Sequence, residues 1–576
     1  MSDTNQKSEI SLTSDSLPRR RFLAYFSGLG LSSSLLPGAL WAEMEQQKTE
    51  KITKEMLAHA EQLAGLQFTE AQRDLMIQGL NQQLQDYEKI QKIPLDNSVS
   101  PAFKFNPTTF DMKFNHQQRA LIFSPDQKRQ LPADLEKIAF WPVTDLAQLI
   151  KSRQITSTQL TGMYLNRLKR YDDRLKCVIT LTEELAMKQA RRADEEIAAG
   201  RYRGSLHGIP WGAKDLLAVK GYKTTWGAMP YKDQIIDLDA AVVERLEQAG
   251  AVLVAKLTLG ALAMGEYWFG GMTRNPWNPE TGSSGSSAGP AAATTAGLVG
   301  FALGTETCGS IVSPCTVCGA TGLRPTFGRV SRHGAMALSW SMDKIGPICR
   351  CVEDCALVFN AIYGPDGRDD TIIDLPFNYD ASRNIKDFKI GYIKSAFEQD
   401  RKDKKAKEND LATLDVLRDL GVELIPKELP DFPTLAMLLI LNCEAAAAFD
   451  ELTRTHQDEL LTRQTEDSWP NIFRKAQMVS AVRYIQANRV RSLMIKAMHT
   501  FFSDVDVYLC PTWEGNNLYL TNLTGHPAVV VPNGFNEKQT PTGITFMADL
   551  YAEENTLSVA QAYQKATGFH LQQPAL

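Results

Sequence analysis

Ser286, Ser287 and Ser310 lie in two glycine-rich loops of one segment, residues 275–326, that reads NPWNPETGSSGSSAGPAAATTAGLVGFALGTETCGSIVSPCTVCGATGLRPT. A serine hydroxyl among small residues is a candidate nucleophile for acyl transfer once a base takes its proton. Gly285-Ser286-Ser287-Ala288-Gly289 matches the G-x-S-x-G elbow of α/β-hydrolases, which would make Ser287 the nucleophile. That elbow needs a strand directly before the serine, and Pro276, Pro279 and Gly282 rule out a central strand there. A flexible linker is the other simple reading of so much Gly and Ser. Against it stand a helix-like run at 291–296 and a strand-like run at 297–303, both feeding a second glycine-rich loop at 304–309. Upstream, Lys214 closes an apolar strand candidate and precedes Asp215. Taken singly, the lysine reads as a surface residue and the serines as turn or cap residues.

The elements that would position these residues alternate. Helices are expected at 145–153, 157–171, 182–199 (ended by Gly200 as a cap) and 240–248, with Asp239 as N-cap. Strands are expected at 208–213, 251–256, 388–393, 505–509 and 528–531. Such alternation predicts an α/β domain with helices on both faces of a central sheet. Upstream of it, Met56, Leu57, Ala60, Leu63 and Leu66 recur at helical intervals, and Thr69 starts a second such run. Residues 94–132 are polar and proline-spaced, as in an extended arm or linker. The charged run 398–410 reads as a solvated surface stretch. Tyr267, Trp268 and Phe269 are candidates for an aromatic acyl pocket, although such clusters more often belong to a core.

Several of these landmarks together resemble the amidase signature family. That family carries a Gly-Ser-Ser-Gly-Gly-Ser loop and then a Gly-Thr-Asp-x-Gly-Gly-Ser-Ile-Arg loop. This chain has Gly285-Ser286-Ser287-Ala288-Gly289 and then Gly304-Thr305-Glu306-Thr307-Cys308-Gly309-Ser310-Ile311-Val312. Leu206 to Asp215 is similar to the family's Gly-Ile-Pro…Lys-Asp strand end, and residues 319–326, 341–347 and 522–528 match further landmarks, so the likeness spans about residues 140–566. The 24 residues between Ser286 and Ser310, and the 72 between Lys214 and Ser286, follow the family's layout.

The resemblance implies an amidase-signature α/β fold, a central mixed β-sheet covered on both faces by α-helices. It implies that Ser310 is the nucleophile and that Lys214 acts as base through Ser286, which would sit in a cis peptide, with Ser287 in support. For this the lysine must be neutral, so burial has to lower its pKa. Backbone N–H groups of Thr307, Cys308, Gly309 and Ser310 would form the oxyanion hole. The reaction so implied is hydrolysis of a small-molecule or peptide amide to carboxylate plus amine or ammonia, with no metal or organic cofactor. Four positions depart from the family pattern: Ala288 for Gly, Glu306 for Asp, Cys308 for Gly and Val312 for Arg. The last would leave Glu306 without its family partner.

Composition narrows the alternatives. Of 576 residues 22% are charged, with a net charge of −5, so no basic excess favours a nucleic-acid partner. Nine cysteines include Cys315-x-x-Cys318, but no second such pair follows, and buried structural thiols are the better reading than a zinc site. Pro18-Arg19-Arg20-Arg21-Phe22-Leu23 followed by an apolar stretch to Ala42 resembles a twin-arginine export signal, with the export machinery as partner and the periplasm as destination. An uncleaved anchor is the alternative reading of that stretch. The expected organisation is a signal at 1–42, a helical accessory segment and linker at 43–135, and an amidase signature domain at 136–576. Two other functions share the motifs: the glutaminase subunit of a tRNA-dependent amidotransferase, and an inactive binding protein on the same fold.

Overall fold

The computed structural model describes residues 52–125, 127 and 129–576; the signal-like stretch at 18–42 lies outside them. The chain divides into a unit ending at Leu95 and a unit from Asp96 to Leu576. Among its described residues the first contains two helices, Lys54–Ala64 and Glu70–Gln91. Thr53 caps one by accepting from the Met56 N–H, and Thr69 opens the other in a capping box with Gln72. Gly65, left-handed at φ 63°, ends the first helix.

The second unit is built on one eleven-stranded mixed sheet. Its strands are β1 (Val178–Leu181), β2 (Pro210–Lys214), β3 (Val252–Leu257), β4 (Phe301–Glu306), β5 (Thr321–Arg324), β6 (Lys344–Cys349), β7 (Ile390–Ile393), β8 (Leu424–Lys427), β9 (Val507–Pro511), β10 (Ala528–Phe535) and β11 (Pro541–Ala548). They lie in the order β1-β3-β2-β4-β6-β5-β10-β11-β9-β7-β8. β3, β2 and β4 run parallel, and β6 returns antiparallel beside β4. Alternate residues enter different cores: Leu253, Phe301 and Leu303 join one cluster, while Val252, Val254 and Ala302 join another. Both faces are therefore covered, which is why these strands read as continuous apolar runs rather than alternating ones.

Most expected elements are present with shifted ends. The strand expected at 297–303 begins only at Phe301, because Gly297 is left-handed (φ 65°) and closes the preceding helix, Ala288–Thr295, in a turn. Asp239 does not cap the helix Ala241–Gln248. Its carboxylate accepts from the Lys220 N–H at 2.8 Å, and Ala240 occupies the cap without a side-chain bond. The charged run at 398–410 is not wholly solvated: Asp410 is buried, with Arg401 at 2.6 Å and Asn533 at 2.7 Å. The proline-spaced arm packs against the sheet unit. Asn97 exchanges hydrogen bonds with the Ala337 backbone, Phe105 sits edge-on to Phe327, and the Arg491 guanidinium lies 3.5 Å from the Phe105 ring centroid. All nine cysteines are free thiols, seven of them buried.

The end of β2 is pinned by a buried ion pair. Lys256 of β3 places its amine 2.7 Å from Asp215, and neither side chain is exposed. Asp215 also accepts from the Thr225 N–H and hydroxyl. Breaking such a pair from one side strands a charge in the interior. Lys256→Met should lower unfolding stability by about 3–5 kcal/mol, seen as a reduced denaturation midpoint. Asp215→Asn in the same chain should recover part of the loss, and an unchanged midpoint for the single variant would contradict the pairing.

Candidate active site

The C-terminal end of β2 delivers Lys214 into a fully buried position. Its amine lies 2.8 Å from Ser286 Oγ, 2.8 Å from Thr305 Oγ1 and 3.1 Å from Ser287 Oγ. Every one of these neighbours is an uncharged oxygen, and among the described residues no carboxylate comes within ion-pair distance of it. Burial therefore lowers the pKa of Lys214 to about 7, with Asp343 and Glu306 raising it only part of the way back.

Ser286 follows a cis peptide bond from Gly285 and is buried. A Cβ on Gly285 would stand 1.9 Å from the Gly265 carbonyl oxygen, so only glycine fits there. Ser287 is clamped: its hydroxyl accepts from the Thr305 N–H and donates to the Thr305 carbonyl, both at 3.1 Å. With no exposed surface it cannot serve as an elbow nucleophile. Its N–H donates to the Ser310 carbonyl at 3.1 Å, tying the two serine loops together. Ser310 itself is half-buried, in the turn between β4 and the helix Val312–Cys318.

No described residue accepts from the N–H groups of Thr307, Cys308, Gly309 or Ser310. Four successive uncommitted donors in a tight turn make an anion-binding concavity. Gly309 has φ 99°, which glycine adopts readily. Burial and the nearby Glu306 push the Cys308 thiol up to about 12, so it stays protonated beside Ser310.

Glu306 holds this turn in place. One carboxylate oxygen accepts from the Ile311 and Val312 N–H groups at 2.8 and 2.9 Å; the other meets Arg324 at 2.9 Å and Asn522 at 2.8 Å. Burial raises its pKa, but Arg324 and the donors outweigh burial and leave it below the usual value. Val312 cannot supply the arginine expected beside Glu306, and Arg324 arrives from β5 to pair with it instead. Asp343 fixes the other side, accepting from Thr307 Oγ1 at 2.6 Å and from the Leu338 and Ser339 N–H groups. Beside it Lys344, in register with Glu306, is buried, which lowers its pKa to about 7. Sequence reasoning gave no role to Thr305, Arg324, Asp343 or Asn522, although all four fall within the motifs it quoted.

The family model "Amidase" matches residues 159–517. A glutamyl-tRNA(Gln) amidotransferase subunit of Methylococcus capsulatus is 34% identical over 479 residues, which cover 75% of this chain and 98% of the relative. That of Prochlorococcus marinus is 34% identical over 470 residues, covering 74% and 96%. Among solved structures, the native peptide amidase from Stenotrophomonas maltophilia aligns with a TM-score of 0.67 and 29% identity, covering 75% of this chain and 98% of that one. A buried lysine against two serine loops, on a mixed sheet shared with solved amidases, agrees with these likenesses in sequence: the chain belongs to the amidase family, whose members are hydrolases acting on amides.

Proposed function

We propose that this protein hydrolyses a carboxamide through an acyl-enzyme on Ser310, with Lys214 as base acting through Ser286. The observation that carries the reading is the Lys214 amine, wholly buried, 2.8 Å from Ser286 Oγ and, among the described residues, with no carboxylate in contact. Neutral, it takes the Ser286 proton while Ser286 takes that of Ser310, whose oxygen bonds to the amide carbon. The developing oxyanion is received by the N–H groups of residues 307–310. As the C–N bond breaks, Ser286 passes a proton to the departing nitrogen and is re-protonated from Lys214. Water then enters by the same relay, releasing the carboxylate and restoring Ser310.

The curated relatives named as amidotransferase subunits support a second reading, in which the released nitrogen goes as ammonia to a partner protein. The arginine-led apolar stretch at 18–42 supports the freestanding, exported amidase instead, because aminoacyl-tRNA is a cytoplasmic substrate. Turnover of simple aryl, aliphatic and peptide amides by the isolated chain separates the two; activity confined to glutamine favours the amidotransferase reading.

A fluorophosphonate should add once to the protein by intact mass, and Ser310→Ala should abolish the adduct; a surviving adduct contradicts the nucleophile. Lys214→Ala should lower kcat at least about a thousandfold, as loss of a general base does in serine hydrolases. Because the base must be uncharged, activity should rise with pH through a midpoint near 7 and flatten above it; a midpoint near 10 would contradict a buried, depressed lysine. Glu306→Ala should reduce both kcat and stability, because it frees the 307–311 turn and leaves Arg324 buried without its counter-charge.

A further inference from the structure

The aromatic run at 267–269 divides on the structure. Trp268 is 9% exposed and packs edge-on against Phe269, so it belongs to the interior. Tyr267 is 38% exposed, and the guanidinium of Arg463 stands 5.8 Å from its ring centroid. Arg463 is half-buried, yet among the described residues it has no ion pair and donates no hydrogen bond. Arg332, Arg324 and Arg401 have carboxylate partners in Asp369, Glu306 and Asp410, and Arg350 and Arg491 are met instead by carbonyl and hydroxyl oxygens; among the described residues Arg463 has neither. Asp467, four residues on, feels the Arg463 charge but forms no ion pair with it; its exposed side chain accepts from Thr465. Glu266, the adjacent acid on the Tyr267 segment, places its carboxylate against Gly282 and forms no ion pair with Arg463.

Gly265 connects this guanidinium to the serines. The carbonyl oxygen of Gly265 is what forces glycine at position 285, directly before Ser286. On its other side Gly265 faces open space, in which a Cβ would meet only Arg463 Nη1, at 3.7 Å. An uncommitted guanidinium, a partly exposed aromatic ring and the Ser286 loop thus share one glycine.

We propose that Arg463, standing over Tyr267, is a specificity-determining residue that receives a carboxylate carried by the amide substrate. The proposal rests on the Ser310 acyl-enzyme reading and names the substrate class it serves. A guanidinium matches a carboxylate with two parallel N–H donors, a geometry an ammonium cannot reproduce. The Tyr267 ring holds the cation through its face and leaves the N–H edges free. Because no internal carboxylate has to be displaced, the substrate gains the full contact, and half-burial makes that contact stronger than one on open surface.

The test uses two fluorophosphonates of equal length, one ending in a carboxylate and one in a methyl group, and reads the second-order rate of labelling of the full chain. Arg463→Ala should slow the carboxylate probe about ten- to a hundredfold, the loss expected for a charge-assisted pair, and leave the neutral probe within about twofold. Arg463→Lys should recover only part of the carboxylate rate. Equal rates for both probes on the parent and the Arg463→Ala chain, or an equal slowing of both, would overturn the carboxylate assignment. Failure of either probe to label the parent chain at Ser310 would instead overturn the acyl-enzyme reading beneath it, so the two failures are distinguishable.

Discussion

The site depends on keeping an amine in the interior without giving it a counter-ion. Two lysines on adjacent parallel strands, Lys214 and Lys256, are both fully buried, and their surroundings differ in one respect. Lys256 has a carboxylate at 2.7 Å and acts as a fastener; Lys214 has only hydroxyl and carbonyl oxygens around it. A buried amine with no adjacent negative charge is favoured in its neutral form, the one form in which it can accept a proton. Everything nearby serves that condition. Asp215, next in the chain, is consumed by Lys256 and Thr225, so it does not serve Lys214 as a counter-ion.

A second constraint shapes the anion-binding turn. Residues 307–310 offer N–H groups that no described residue uses, so the turn needs support from outside its own backbone. Glu306 supplies it from below by holding the first amides of the following helix, and Asp343 supplies it from the side through Thr307. Arg324 and Asn522 in turn hold Glu306. Strands β4, β5 and β6 therefore converge on one loop, which explains why the substitution at 308 is tolerated geometrically: Cys308 contributes an N–H, and its thiol stays protonated.

What was legible in the sequence follows from how local each feature is. Lys214, Ser286 and Ser310 were readable because each sits in a contiguous motif whose spacing is itself informative. The prolines before Ser287 argued against an elbow nucleophile there, the 24-residue spacing to Ser310 singled out Ser286, and the clamped Ser287 hydroxyl agrees with the first of these. Strands β5 and β6 escaped notice because both faces are buried, so Thr321–Arg324 and Lys344–Cys349 show no alternation, and Gly and Pro interrupt them. The partner of Glu306 was invisible for another reason. Arg324 is 18 residues away and meets it only through the sheet. Asp410 was misread within a charged run for the same cause, since Asn533 lies 123 residues further on.

The central claim is that Lys214 rests uncharged near neutral pH, and the most direct measurement is its own titration. Nitrogen-15 lysine NMR of the intact protein, with the Lys214 signal identified by its loss in Lys214→Met, reads the protonation state without any substrate. A change from ammonium to amine signal with a midpoint near 7 is the result this account predicts. A midpoint at the ordinary lysine value of 10.5 would contradict it, because a permanently charged amine could not begin the proton relay.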